Sequence, residues 1–364
     1  MKNTFGKSVS VTLFGESHGA EIGAVLDGLA PGIPVDEDFI RHQLTLRRPA
    51  GDGLSTPRAE ADEFRIVSGV FQGKTTGTPL CILIPNSNTH SKDYPAGLNR
   101  PGHADYSAQC KYYGYQDYRG GGHFSGRLTA ALVAAGAIAI TALGLNGITV
   151  GTHIASLAEL RDRQFSDVET DLDFLKSASF PVLDPIVAEN MKERIREAAA
   201  EGDSIGGILE TMITGMPAGV GEPWFDTVEG LLSHALFGIP AVKGVEFGEG
   251  FGFAELMGSE ANDQMYAQNG KIGFHTNHNG GVNGGITNGM PILFRCVIKP
   301  TPSISVEQDS VDLETMETIR LSVKGRHDPA IIHRARVVVD SVAALVLCDL
   351  LAQRFGTDFV NVEE

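Results

Sequence analysis

Apolar residues alternate or cluster in short runs at 8–14, 22–27, 64–71, 79–85, 148–153, 208–214 and 292–298, and each run predicts a strand. Helical spacing fills several gaps between them. Asp36 stands where an N-cap belongs, Phe39, Ile40 and Leu44 follow it, and Pro49 bounds the helix. Asp184-Pro185 opens another helix in cap-then-proline order, and Gly202 closes it. Two segments, 128–145 and 337–351, are apolar on nearly every face. The first has no charge in 18 residues, which raises the question of a membrane span. Seven of those residues are Ala and Gly136 interrupts them, while the second segment carries Asp340 and Asp349. Both therefore read as helices buried on all sides within a soluble fold.

A faint repeat links the two halves of the chain. A strand, Gly28-Leu29-Ala30-Pro31-Gly32 and a capped helix in the first half match a strand, Gly215-Met216-Pro217-Ala218-Gly219 and a helix capped by Asp226 in the second. Thr76-Gly77-Thr78-Pro79 likewise parallels Asn288-Gly289-Met290-Pro291 before another strand. Divergent halves explain this, and so does coincidence among common turn signals. If the repeat holds, the two apolar helices lie side by side between two antiparallel sheets. The expectation is an α+β sandwich, β-α-β in layers, in one domain over 1–364. Its pseudo-halves are about 1–145 and 205–355, joined by an acidic connecting region. No regular strand–helix–strand rhythm supports a doubly wound sheet.

Composition narrows the partners. Hydrophobic residues make up 42% of the chain and charged ones 20%, ordinary for a globular protein. A net charge of −16 argues against nucleic acid or an anionic membrane. That charge is uneven: 156–203 holds twelve Asp and Glu against six Lys and Arg, whereas 324–336 holds four Lys and Arg, two His and only Asp328. Basic loops on an acidic protein either focus an anion into a cleft or pair off locally. The opening residues lack a signal-peptide core. Cys81, Cys110, Cys296 and Cys348 form no Cys-x-x-Cys pair, which suits a reducing cytoplasm. His275 and His278 make only a short lone pair, so no metal is expected.

Four glycine-rich loops carry candidate chemistry. Gly15-Glu16-Ser17-His18-Gly19 follows the first strand and, alone, reads first as a tight turn with a surface His. Arg100-Pro101-Gly102-His103-Ala104-Asp105-Tyr106 places a proton-handling His near a carboxylate that orients it or opens a helix. Arg119-Gly120-Gly121-Gly122-His123-Phe124-Ser125-Gly126-Arg127 precedes an apolar helix, and reads as an anion site or a hinge, the flanking arginines favouring the anion. Lys324-Gly325-Arg326-His327-Asp328-Pro329 surrounds one carboxylate with cations that keep it ionised. Gly69 to Thr75 is one residue short of a P-loop, Gly248 to Gly252 lacks the dinucleotide spacing, and no nucleophile elbow occurs.

Read together, these segments resemble the chorismate synthase family. Eight strings carry the resemblance in family order: Phe14 to Gly19, Leu46 to Pro49, Arg100 to Tyr106, Asp117 to Gly122, Val242 to Glu246, Gly280 to Gly285, Lys299 to Thr301 and Gly325 to Pro329. The resemblance implies a trans-1,4-elimination of phosphate from 5-enolpyruvylshikimate 3-phosphate, giving chorismate. It implies reduced FMN without net redox change, an external flavin reductant with NADPH acting indirectly, and a homotetramer. No segment is left over for a flavin reductase.

By resemblance, His103 is the acid at the departing phosphate, His18 protonates the reduced flavin system, and Asp328 helps take the proton. Arg47, Arg48, Arg100, Arg127 and Arg334 are candidate grips for the substrate's anions. Cofactor contacts carry over to Arg47, His123, Phe124, Ser125, Ala241, Gly284, Lys299, Pro300, Thr301, Pro302, Ser303 and Arg326. The chain departs from the family pattern at His123 and Phe124, where Arg and Ser are common, at Gly53 for an Arg, and at Pro240 for an Asn. A relative that binds flavin and phosphate but has lost catalysis is the rival expectation.

Overall fold

A computed structural model describes residues 2–49, 51, 53–56, 61–87, 97–323 and 328–360. Two five-stranded antiparallel sheets form its outer layers. The first contains β1 (Thr4–Phe5), β2 (Ser10–Gly15), β3 (Glu21–Asp27), β4 (Arg65–Ser68) and β5 (Leu80–Pro85), ordered β1-β2-β3-β5-β4. The second contains β6 (Thr149–Leu157), β7 (Leu160–Arg161), β8 (Gly207–Thr214), β9 (Val242–Phe247) and β10 (Ile292–Ile298), ordered β9-β10-β8-β6-β7. The run expected over 64–71 is broken: Gly69, at φ +83°, separates β4 from a short ladder at Val70–Phe71. A Cβ there would strike the Leu80 backbone at 2.4 Å, so the chain bends at this point.

Helices pack against these sheets and against one another. α1 (Glu37–Arg47) starts at Asp36, whose carboxylate accepts from the Asp38 and Phe39 amides. α2 is Asp105–Tyr112, and α3 is Thr129–Gly144. α4 (Val168–Leu175) and α5 (Pro185–Ala200) follow β7, and Asp184 caps α5 as expected. α6 (Val228–Leu236) is capped by Thr227, not by Asp226 as the sequence suggested, because Asp226 turns outward to pair with Lys7. α7 is Ile332–Phe355, longer than the apolar run that marked it.

Within this core α3 and α7 lie against each other and touch both sheets. Ala and Gly on α3 permit the close approach: a Cβ on Gly136 would fall 2.2 Å from Cβ of Ser341 on α7. α3 and the turn before it are long and apolar enough to cross a membrane, yet 83% of the span is buried inside the fold, as a core helix would be. Asp349, the acid near the end of α7, accepts from the backbone N–H groups of Lys7, Ser8 and Val9 and ties the N-terminal segment to the helix. Contacts pair Gly136 with Ser341 and Ala139 with Cys348, so α3 and α7 run in the same sense. Both N-termini, with their positive dipole ends, therefore point to one end of the molecule.

Candidate active site

At that end the polar loops meet. Gly120, Gly121 and Gly122 take φ values of +62°, +91° and +54°, a reversal that side chains would resist. The reversal lets their backbone fit between two histidines. A Cβ on Gly120 would lie 2.5 Å from Nε2 of His18, and one on Gly121 would lie 3.3 Å from Nε2 of His103. The carbonyl of Gly122 accepts from Ser17 N–H at 3.1 Å, and the Ser17 hydroxyl donates to the Arg119 carbonyl at 3.2 Å. The loop thus locks onto the strand end that bears His18, which is buried and is no surface residue. Gly120→Ala is expected to lower turnover about a hundredfold through displaced histidines. Steady-state kinetics beside a thermal melt check this, since the melt separates misplacement from unfolding.

His103 belongs to a fixed dyad. Its Nδ1 lies 2.6 Å from Oδ1 of Asp105, and Arg100 grips the same carboxylate through Nε and Nη2, each at 2.8 Å. Burial would raise the Asp105 carboxyl, but Arg100 and His103 hold it well below the usual carboxylate range. Asp105 is therefore an anion that orients His103, leaving Nε2 toward the glycine loop. Arg100 is spent on that task, and Arg119 is likewise spent as a fork on Asp117. A cavity of about 240 Å³ opens beside the dyad, lined by Arg100, His103, Asp105, Tyr118, Gly121 and Phe124 among others.

The loop at 299–303 closes the arrangement. Lys299 donates from Nζ to the Gly102 carbonyl at 2.5 Å, next to His103. Burial, then Lys243, pushes the Lys299 amine down from its ordinary value. Pro302 packs at Gly102 and Pro300 at Gly206. The Thr301 hydroxyl donates to the Asp328 carbonyl, and Asp328 is paired with Arg334 at the start of α7. Arg334 is near enough to bear on the charge of Arg47. Arg47 and Arg127 are both buried and share Asp62. Ser125 caps the turn Gly126–Leu128 by accepting from Arg127 N–H, which returns the contacts to the glycine loop.

The other expected positions divide. Ala241 accepts from Lys299 N–H at 2.9 Å and holds φ +77°, a strained backbone for Ala, inside the cluster. His123 bonds through Nδ1 to the Gly15 carbonyl at 2.8 Å, and Phe124 stacks edge-on against Tyr112. Among the described residues Arg48 reaches the Ala61 carbonyl, at 3.3 Å. Gly284 lies elsewhere: its hairpin packs at Thr227 and Glu222, near the start of β10, whereas Lys299 follows the end of that strand. Arg326 lies outside the described residues. Asp62 and Asn86, which hold Arg47 and Arg127, were missed, because nothing local in the sequence marks partners that lie 15 to 65 positions away.

Paired imidazole and carboxylate groups and buried arginines thus gather beside the N-termini of two core helices, as in an enzyme for a small molecule. The family model described as chorismate synthase matches residues 9–352. A chorismate synthase of Thermococcus gammatolerans is 47% identical over 351 residues, covering 96% of this chain and 97% of its own length. One from Methanobrevibacter smithii is 46% identical, covering 96% of each chain. A crystal structure of chorismate synthase superposes with a TM-score of 0.76 at 30% identity, covering 96% of this chain and 94% of that one. The chain belongs to the chorismate synthase family.

Proposed function

We propose that this protein catalyses the trans-1,4-elimination of phosphate from 5-enolpyruvylshikimate 3-phosphate to form chorismate. The observation that carries the reading is the run of contacts from His18 through Gly120, Gly121 and His103 to Lys299, Asp328 and Arg334, with Arg47, which shares Asp62 with Arg127, close enough to feel the charge of Arg334. It gathers two imidazoles, a carboxylate and three guanidinium groups around one locus. The reaction needs that inventory: cations for two carboxylates and a phosphate, an acid for the leaving group, and an acceptor for the ring proton.

The tasks are taken from the family resemblance, and the geometry supports several of them. Asp105, bonded at Nδ1, orients His103 so that its Nε2 edge can deliver a proton to the departing phosphate oxygen. His18 holds a second proton across the glycine loop, and Asp328 accepts one beside Arg334. Arg47, Arg127 and Arg334 grip the anions. Arg100 supports the dyad instead of binding substrate, and Arg48 stands at the rim.

The family resemblance points to a reduced flavin as the cofactor. By the family resemblance, Ala241, Lys299, Pro300, Thr301, Pro302, Ser303, Ser125 and Phe124 would hold it, and the buried Nε atoms of Arg47 and Arg334 have no acceptor among the described residues. Reduced FMN, when bound, supplies electron density that assists phosphate departure without net oxidation. An external reductant maintains it, NADPH acting indirectly. Gly284, at the far end of the second sheet, supports a homotetramer, in which another copy can bring that hairpin to a flavin. Four free cysteines support a cytoplasmic setting. We read the chain as two pseudo-repeated halves in a single domain: the first supplies one five-stranded sheet and α3, the second supplies α7 and three strands of the other sheet, whose β6 and β7 come from the connecting region.

The test is anaerobic: purified protein, chemically reduced FMN and 5-enolpyruvylshikimate 3-phosphate form chorismate. Binding of both ligands with no product overturns the reading in favour of an inactive relative.

A further inference from the structure

Two arginines in this site share one buried carboxylate. Arg47 ends α1, and Arg127 lies in the turn after the glycine loop. Asp62 stands between them with one oxygen on each: Oδ2 accepts from Nη2 of Arg47 at 2.8 Å, and Oδ1 accepts from Nη1 of Arg127. The side chains are 6%, 5% and 0% exposed for Arg47, Arg127 and Asp62. Burial alone would raise the Asp62 carboxyl, but the two arginines pull it below its ordinary value. Asp62 also holds φ +52°, in the left-handed region that residues other than glycine seldom occupy.

The two arginines are not equivalent. Arg127 donates from Nε to Oδ1 of Asn86 and from Nη2 to the Pro85 carbonyl, each at 3.0 Å, so its fork is in use. Arg47 makes only long contacts beyond Asp62, from Nη1 to the Thr129 hydroxyl at 3.3 Å and the Gly126 carbonyl at 3.5 Å. Its Nε is buried with no acceptor among the described residues, and so is Nε of Arg334. Buried donors left unmet are unfavourable, and a native fold retains them where something else supplies the acceptor.

We propose that Asp62 is a positioning residue, which holds Arg47 beside Arg127 so that the Nε edges of Arg47 and Arg334 receive an anionic group of the substrate. The inference rests on the substrate reading above. Charge alone makes the opposite forecast. Asp62 is an anion inside an anion site, so its removal should tighten binding if only the sum of charges mattered.

Two variants separate these outcomes. Asp62→Asn removes the charge and keeps the shape, while Asp62→Glu keeps the charge and displaces the carboxylate by one methylene. Substrate affinity is measured by titration calorimetry on the full chain, with kcat at saturation measured separately and a thermal melt to verify folding. Both variants are expected to raise Kd by about tenfold or more, and KM with it, with a smaller change in kcat. Tighter binding by Asp62→Asn, or Asp62→Glu within about threefold of wild type, overturns the proposal. If Asp62→Asn fails to fold, Asp62→Glu decides alone, because it leaves the charges balanced. Wild-type turnover is the control: a wild type that makes no chorismate fails the functional reading, whereas a turning-over wild type with an unaffected Asp62→Glu fails this inference alone.

Discussion

Replacing His103 with Ala is expected to lower kcat by about 10²–10⁴-fold while KM for the substrate moves by less than about threefold. The loss is large because the expulsion of phosphate needs a proton on its bridging oxygen in the transition state. We propose His103 for that role, because Asp105 fixes its Nδ1 at 2.6 Å and Arg100 fixes Asp105. The effect falls on turnover because neither ground-state grip is touched. Arg47, Arg127 and Arg334 remain, and the Asp105 carboxylate keeps Arg100 as its partner. Steady-state kinetics with reduced FMN in excess check this. Equal losses in affinity and turnover would make His103 a binding group and move the acid elsewhere.

Gly136→Val is expected to cost about 3 kcal/mol or more of folding stability. The position is at the crossing of α3 and α7, where even a methyl would lie 2.2 Å from Cβ and 2.7 Å from Cα of Ser341. No rotamer change relieves a clash with a Cα, so the helices must part. The core that parts with them includes Val133, Ala137, Val337 and Ala344, all fully buried. Denaturant unfolding measures the loss, and a second change, Ser341→Gly, should restore part of it. Undiminished stability in Gly136→Val would mean that the two helices do not meet there.

Much of this architecture was legible because it follows from local periodicity. The runs at 22–27, 208–214 and 292–298 became β3, β8 and β10 with boundaries nearly as read, and Asp36 and Asp184 cap the helices assigned to them. The two all-apolar segments had to be buried, and they are the helices between the sheets. What the chain concealed were pairings across sequence distance. Asp62 is one acid among many until the fold brings Arg47 and Arg127 to it. His153, Glu210, Arg295 and Glu246 form a cross-strand charged row on the second sheet that no spacing rule announces. Asp226 looked like a cap, yet Thr227 took the role while Lys7, 219 positions away, took Asp226. His18 read as a surface turn because the three glycines that bury it lie about a hundred positions downstream.

The proposed reaction expels phosphate without consuming the flavin's electrons. Its most direct measurement is product stoichiometry under anaerobic conditions, with chorismate and inorganic phosphate quantified against reduced FMN over many turnovers. The account predicts one phosphate for each chorismate and a reduced flavin pool that stays constant. Flavin oxidised in proportion to product, or phosphate released without chorismate, would contradict it.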